Sequence, residues 1–377
     1  MPRSAFFKLV ALAALLHIYL GARLLPPLAL GPLGLALATA LLLASTLLVP
    51  TGLIVSSLRR AHWTQALTWA ALLAMGLFST LLVLTVVRDL LLVLATLADV
   101  ASSNLLRLSA IGVPLLALAV TVLGLVNARR LARVVTVEVP IAGLPAALHG
   151  YTIVQLSDIH VGPTIKRAYL DAIVERANAL GGDAIAITGD LVDGSVAQLA
   201  EHTAPLARLV ATDGVFFVTG NHEYYSGATA WIAELRRLGL TVLMNEHVLR
   251  ERAGAVLMIA GVADFHAHHF EVSHRSDPHQ AAAGAPAGVH ARILLAHQPR
   301  SAVEAVEAGY HLQLSGHTHG GQFFPWNLLV PLQQPWVAGL RRLRSLWVYT
   351  SRGTGYWGPP KRFGAPSEIT RVRLVTA

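Results

Sequence analysis

The 377-residue chain contains no cysteine. That absence excludes disulfides and thiolate metal ligands, so any bound metal must be held by oxygen and imidazole. Charge is nearly as scarce. Asp, Glu, Lys and Arg make up 13% of residues and hydrophobic residues 54%, whereas ordinary soluble domains carry about 25% charge. The shortage is local: residues 1–127 hold only Arg3, Lys8, Arg23, Arg59, Arg60, Arg88, Asp89, Asp99 and Arg107. Residues 1–133 contain ten basic and two acidic side chains, which leaves 19 of each in residues 134–377. The net charge of +8 therefore belongs to the apolar third. The remainder has no basic excess with which to meet a phosphate backbone, so no nucleic-acid partner is expected.

What the first third has instead is long apolar runs. Four of them, at residues 6–25, 34–58, 64–87 and 109–127, approach or exceed the roughly 20 residues that span hydrocarbon. A fifth, at 90–100, is too short to span, carries Asp99, and reads as a segment that lies at the interface or packs on the helical bundle. The first run lacks a small-x-small cleavage site and is followed by further spans, so retention is expected rather than removal as a signal. With the N-terminus inside, the inner flanks hold Arg3, Lys8, Arg59, Arg60, Arg129, Arg130 and Arg133, and the outer flanks Arg23, Arg88 and Arg107. That asymmetry predicts a multi-pass protein of the cell (inner) membrane with its C-terminal domain facing the cytoplasm. His17 is the ionisable group nearest the middle of a span and reads as packed and hydrogen-bonded, so the helices read as an anchor rather than a transport path. The expected organisation is a transmembrane helical anchor of about four spans over residues 1–133 and one globular domain over 134–377.

Beyond the basic junction at Arg129-Arg130 and Arg133, apolar runs alternate with helical periodicity. Strands are expected at 134–139, 152–156, 184–188, 215–219, 241–244, 256–260, 292–295, 312–315, 345–350 and 368–374. Helices are expected at 169–180, at 196–209 with an interruption at Pro205, and at 229–238. Such alternation predicts an α/β layered domain.

Five short patterns sit at the ends of these runs: Asp158-Ile-His160, Gly189-Asp190, Gly220-Asn221-His222-Glu223, the lone His297, and Gly316-His317-Thr318-His319. Open α/β sheets place their sites at the carboxyl ends of strands, where loops converge on a rigid edge. Carboxylate and amide oxygens mixed with imidazole suit Mn, Fe or Zn, and there are enough groups for two ions. Two adjacent metals clamp the attacking and leaving oxygens in phosphoester hydrolysis.

These patterns, in this order, resemble the calcineurin-like metallophosphoesterase superfamily over residues 150–375. The resemblance implies a four-layer α/β/β/α sandwich with two divalent metal ions between the strand ends. It assigns one ion to Asp158, His160, Asp190 and His319, and the other to Asp190, Asn221, His297 and His317, with Asp190 bridging. A hydroxide held between the ions would attack phosphorus. His222 is then catalytic rather than a ligand, donating a proton to the leaving oxygen or stabilising phosphoryl charge, and Asp193 orients it. The family's protein phosphatases carry Arg where this chain has Gly194, which argues against a phosphoprotein substrate.

Three longer stretches, residues 220–227, 316–322 and 351–360, are similar to the bacterial YkuE-type branch, some members of which are membrane-anchored. Relatives of that branch imply a lipid-linked nucleotide such as UDP-2,3-diacylglucosamine, with a place in lipid A synthesis. A phosphorylated small molecule or another anionic lipid fits the same residues. The expected activity is metal-dependent hydrolysis of phosphoester or pyrophosphate bonds at the bilayer surface, with manganese a suitable metal. The alternative from another class is a catalytically silent metal-binding sensor or scaffold, but such a chain would be expected to lose the bridging Asp, the Asn or the catalytic His. Arg352 and Tyr356, in a glycine-rich loop, are candidates to contact phosphate or base; the alternative is a packed loop held by Trp357 and two prolines. Asp264 is a candidate pocket residue. The His-rich tract at 266–290 reads as a solvated loop.

Overall fold

The structure, a computed structural model, describes residues 3–55 and 62–377. Contacts divide the chain into two units: Met1–Arg129 together with Gly358–Lys361, and Arg130–Trp357 together with Arg362–Ala377.

The first unit contains helices α1 (Arg3–Leu24), α2 (Pro32–Val55), α3 (His62–Leu97) and α4 (Ser103–Arg129), each with a stretch long and apolar enough to cross a membrane. Residues 56–58 of the second expected span, and the Arg59–Arg60 pair, lie outside the described residues. The stretch from residue 90 is not a separate interfacial element. Helix α3 runs unbroken for 36 residues through it to Leu97, about 54 Å at 1.5 Å per residue. The charges that interrupt the hydropathy are matched within the unit. Asp89 accepts from Tyr19 Oη and Arg23 Nε, both at 2.7 Å, and Arg88 donates to Ser109 Oγ at 2.8 Å. Paired in this way, charges cost far less to hold in an apolar helix. His17 is buried, with Ala13 O 2.7 Å from Nδ1 and Ser45 Oγ 2.8 Å from Nε2. Lys361 also belongs to this unit, where its Nζ donates to Gly76 O at 3.1 Å and Thr121 Oγ1 at 3.2 Å.

The second unit holds two six-stranded sheets. The first takes β1 (Arg133–Ile141), β2 (Thr152–Leu156), β3 (Ala184–Ile187), β4 (Val215–Phe217) and β5 (Thr241–Val242). The second takes β6 (Glu246–Arg252), β7 (Ala255–Gly261), β8 (Val289–Leu295), β9 (Leu312–Ser315), β10 (Gly339–Leu343) and β11 (Leu346–Thr350). The last strand, β12 (Glu368–Thr376), returns to the first sheet. The spatial orders are β1-β12-β2-β3-β4-β5 and β10-β11-β9-β8-β7-β6. Strands β2 to β5 are parallel, as are β7, β8, β9 and β11, so their carboxyl ends share an edge within each sheet.

The two sheets pack face to face. Ile153, Ala186, Phe216 and Val372 of the first share one core with Leu257, Ile259, Ile293 and Leu314 of the second. Each large apolar side chain so buried contributes about 1.5–3 kcal/mol. The parallel crossovers of the first sheet carry α5 (Arg167–Ala179), α6 (Val196–Thr203), α7 (Asn221–Ser226) and α8 (Ala228–Arg237). Helix α5 buries Leu170, Ile173, Val174 and Ala177, the spacing that marks it in the sequence. Helix α6 stops at Thr203 and continues as a 3-10 turn over Ala204–Arg208, because Pro205 has no N–H for the ladder. On the second sheet, α9 (Pro278–Ala282) and α10 (Ala302–Glu307) bury Ala281, Ala302 and Ala305 against Met258, Leu294 and Leu346.

Candidate metal centre

Every ligand candidate hangs from the carboxyl end of a strand, and hydrogen bonds tie these ends together across the two sheets. Gln155 Nε2 donates to Ser315 O at 3.0 Å. Asp158 N donates to Gly189 O at 3.0 Å, and His297 Nδ1 meets Thr188 O at 2.8 Å. Five candidates, Asp158, His160, Asp190, His317 and His319, hold φ between 51° and 71°. Non-glycine residues there cost free energy, and clustering of such backbone marks a functional site. Glycine is required beside them. A Cβ on Gly220 would overlap Asp190 Oδ1, and one on Gly316 would overlap Asp158 Oδ2.

The side chains converge in two groups. In the first, His319 Nε2 lies 3.3 Å from Asp158 Oδ1 and 3.1 Å from His160 Nε2. In the second, His297 Nε2 lies 3.2 Å from Asp190 Oδ2 and 3.2 Å from His317 Nδ1. Asp190 also faces the first group, with Oδ2 3.9 Å from His160 Nε2. The donors of each group lie within 4.8 Å of one another, close enough to hold one ion. Asn221, the first residue of α7, carries a buried Oδ1 with no hydrogen-bond partner. An orphaned amide oxygen is expensive unless something cationic takes it. That orphan and the two oxygen–imidazole sets fit a pair of divalent cations.

Two further contacts prepare the ligands. His160 Nδ1 lies 3.2 Å from Asp193 Oδ1, and the Nδ1–H of His297 points to Thr188 O, so both rings turn Nε2 toward the cation positions. Burial and the neighbouring His297 push His317 down to about 3, and burial and His160 push His319 well below the ordinary imidazole range. Both are then neutral and carry a lone pair. Burial opposes charge on His297, but Asp190 outweighs it and holds this imidazole well above its ordinary value. A cation binding there must displace a proton.

His222 stands apart from the two groups. Its Nδ1 lies 2.6 Å from Asp193 Oδ1, and its Nε2 turns toward the ligands, 3.9 Å from Asp190 Oδ2. Burial alone would lower this imidazole, yet the Asp190 charge and the Asp193 hydrogen bond raise it to about 9. His160 and His222 together hold Asp193 well below the usual carboxylate range against the penalty of burial. Tyr225 and Trp357 flank the ring at centroid distances of 5.2 and 5.6 Å.

Two residues of the centre escape sequence reasoning. Glu223 is fully buried and accepts from the backbone N–H of Gly220 (2.6 Å), Leu191 (2.8 Å), Asp190 (3.0 Å) and Val192 (3.3 Å), fastening the Asp190 loop to the Asn221 loop. Its signal was the fourth letter of Gly-Asn-His-Glu. Arg362, also fully buried, donates to the carbonyls of His319 (2.9 Å), Arg352 (2.7 Å) and Gly355, and its Nη2 lies 3.2 Å from His319 Nδ1. No local pattern singles it out.

Other expectations fall elsewhere. Tyr356 is buried at 2% exposure, and Arg352 is paired to Glu368 at 2.9 Å, so the glycine-rich loop acts first as a brace. A Cβ on Gly355 would overlap Ile159 O. Asp264 is buried and receives Gln298 Nε2 at 2.9 Å, beside His297. The His-rich tract is not a loose loop. It forms two 3-10 turns and α9, and His274 Nδ1 lies 3.0 Å from Tyr224 Oη. Among the described residues, the groups that could hold a metal do not include its histidines.

A family model described as calcineurin-like phosphoesterase matches residues 151–321. The chain is 42% identical over 280 residues to a Bos taurus "transmembrane protein with metallophosphoesterase domain", covering 70% of this chain and 63% of that one. It is 32% identical over 224 residues to an uncharacterized metallophosphoesterase of Aquifex aeolicus, covering 59% and 84%. It is 30% identical over 239 residues to the uncharacterized metallophosphoesterase YkuE of Bacillus subtilis, covering 61% and 81%. The matches to the bovine protein and to a similar Danio rerio protein span 63% and 60% of those chains. The matches to the Aquifex aeolicus and Bacillus subtilis proteins span 84% and 81% of those chains. The chain belongs to the calcineurin-like phosphoesterase family.

Proposed function

We propose that this chain is a membrane-anchored phosphoester or pyrophosphate hydrolase that uses two divalent cations. Asp158, His160, Asp190 and His319 would hold one ion, and Asp190, Asn221, His297 and His317 the other. The observation that carries this reading is the partnerless Asn221 Oδ1 beside two oxygen–imidazole sets that Asp190 faces together. When bound, such ions supply Lewis acidity and a water acidified into the working range.

The chain's own groups do the rest. His222, held protonated by Asp193 and Asp190 at neutral pH, gives its Nε2 proton to the leaving oxygen as the old P–O bond breaks and the water oxygen bonds to phosphorus. Asp193 keeps Nδ1 as the donor, which leaves Nε2 as the acid. Four apolar helices support a substrate presented from a bilayer. A lipid-linked nucleotide such as UDP-2,3-diacylglucosamine meets that requirement, because its acyl chains stay in hydrocarbon while the pyrophosphate reaches the cations. The catalytic domain would face the cytoplasm.

The test is turnover by detergent-solubilised full chain with Mn²⁺ on UDP-2,3-diacylglucosamine, bis-p-nitrophenyl phosphate and p-nitrophenyl phosphate. Asp190→Asn and His222→Ala are run beside it. Selective cleavage of the lipid nucleotide, lost in both variants, supports substrate and roles together. Cleavage of the generic diester alone keeps the mechanism and removes the lipid nucleotide. No metal-dependent turnover from folded, metal-loaded protein overturns the reading in favour of a silent sensor.

A further inference from the structure

We propose that residues 324–332 form a second membrane contact, through which the catalytic domain itself rests in the acyl-chain margin of the bilayer beside its metal centre. Phe324, Trp326, Leu328, Leu329 and Leu332 are all exposed, Leu332 at 84% and Leu328 at 62%. Single exposed apolar side chains are ordinary, but five within nine residues mark an interaction face. No Asp, Glu, Lys, Arg or His occurs from residue 320 through 340, and the Arg300 guanidinium reaches only the backbone beyond Leu332, where it donates to Gln333 O. Trp, Phe and Leu together are what segments lying in a membrane interface carry.

Position within the domain selects the bilayer as the occupant. The segment follows directly on His317, His319 and Gln322, at the ligand-bearing edge of the sheets. The same edge receives the chain from the last membrane helix. Strand β1 starts at Arg133, opposite Glu368 at the start of β12, and Arg133 N donates to Ser367 O at 3.1 Å. Strand β12 runs antiparallel to β2 with Thr370 opposite Gln155, so the start of β1 and the Asp158 end of β2 lie at one edge. Only residues 130–132 separate α4 from β1, a tether of no more than about 14 Å when fully extended. The chain also leaves this edge for the helical unit at Gly358–Lys361, between Trp357 and Arg362. The chain thus connects the ligand edge to the apolar helices through residues 130–132 and again at Gly358–Lys361, and the apolar segment at that edge meets lipid. A water-soluble substrate would gain nothing from such a surface. A phosphoester embedded by its acyl chains would reach the cations without leaving the bilayer.

The absence of cysteine makes the test direct. Full-length Leu332→Cys and Leu328→Cys, each labelled with an NBD fluorophore in nanodiscs, are compared with Val210→Cys. Val210 is equally exposed but lies on the loop entering β4, at the opposite edge. Acyl-chain nitroxide lipids are expected to quench the label at 332 and 328 at least about twofold more than at 210, and aqueous iodide to do the reverse. Quenching by nitroxide lipid no greater than at 210, or preferential quenching by iodide at 332 and 328, overturns the proposal and leaves a protein partner as the occupant. The readout needs no turnover, so a failure of the hydrolase reading and a failure of this one are separate results.

Discussion

His222 Nδ1 lies 2.6 Å from Asp193 Oδ1, and that same oxygen lies 3.2 Å from His160 Nδ1. One carboxylate thus orients both the candidate acid and a candidate metal ligand. From this pairing the pH dependence has a definite sign. In the proposed mechanism His222 acts while protonated, so its raised value of about 9 predicts that kcat falls as pH rises through that region. Asp193→Asn removes the negative charge, so the alkaline limb is expected to move to lower pH, with kcat about 10- to 100-fold lower at neutral pH. A kcat–pH profile of the two proteins checks it. A limb that stays in place would show that Asp193 does not set the acidity of His222.

Asn221 separates metal binding from folding. Because its Oδ1 has no partner within the protein, Asn221→Ala deletes no protein hydrogen bond at that atom. In chelator-treated protein the substitution is expected to change stability by no more than about 1 kcal/mol in either direction. Calorimetric Mn²⁺ titration should in contrast fall from two sites to one at micromolar metal. A large loss of stability in the metal-free variant would mean that the oxygen is held by the protein after all.

How much of this was legible depends on what each residue needs from tertiary structure. Asp158, Asp190 and Asn221 stand out because each is a polar residue placed directly after a short apolar strand, a contrast visible in one dimension. Strand β6 was not legible. Its sequence Glu-His-Val-Leu-Arg-Glu-Arg is charged and its burial only partial, because it is an edge strand whose side chains reach solvent. The extension of α3 to Leu97 was hidden by Arg88 and Asp89, whose cost is offset by partners 20 to 70 residues away. Glu223 and Arg362 share that difficulty: one binds backbone N–H groups and the other carbonyls, and backbone leaves no signature in sequence.

Glu223 is expected to matter to stability more than its place outside the ligand set suggests. All four of its contacts are acceptances from backbone N–H, which suits a carboxylate and cannot suit an amide. Glu223→Gln turns an NH₂ group against donors and leaves at least one buried N–H unsatisfied, at about 1–3 kcal/mol. Thermal unfolding of the metal-free chain is expected several degrees lower, and Glu223→Asp, which shortens the reach, is expected to recover only part. An unchanged midpoint for Glu223→Gln would refute the fastening role.

Arg362 offers a sharper separation, between the two ions. Its guanidinium collects the carbonyls of Arg352, Gly355 and His319 and faces His319 Nδ1 at 3.2 Å, and contacts between it and His297 or His317 are absent from the described hydrogen bonds. Lysine has one ammonium on a flexible stem and cannot span three carbonyls in a plane, so Arg362→Lys is not conservative here. The variant is expected to weaken the ion held by Asp158, His160 and His319 by about 10- to 100-fold and to leave the other near its original affinity. Mn²⁺ binding followed by electron paramagnetic resonance resolves this, because a lone Mn²⁺ gives a six-line spectrum that a coupled pair does not. At a metal concentration that fills both sites of the parent chain, Arg362→Lys should show the lone-ion spectrum. Equal weakening of both sites would mean that Arg362 only stabilises the loop, and that the orientation of His319 is set elsewhere.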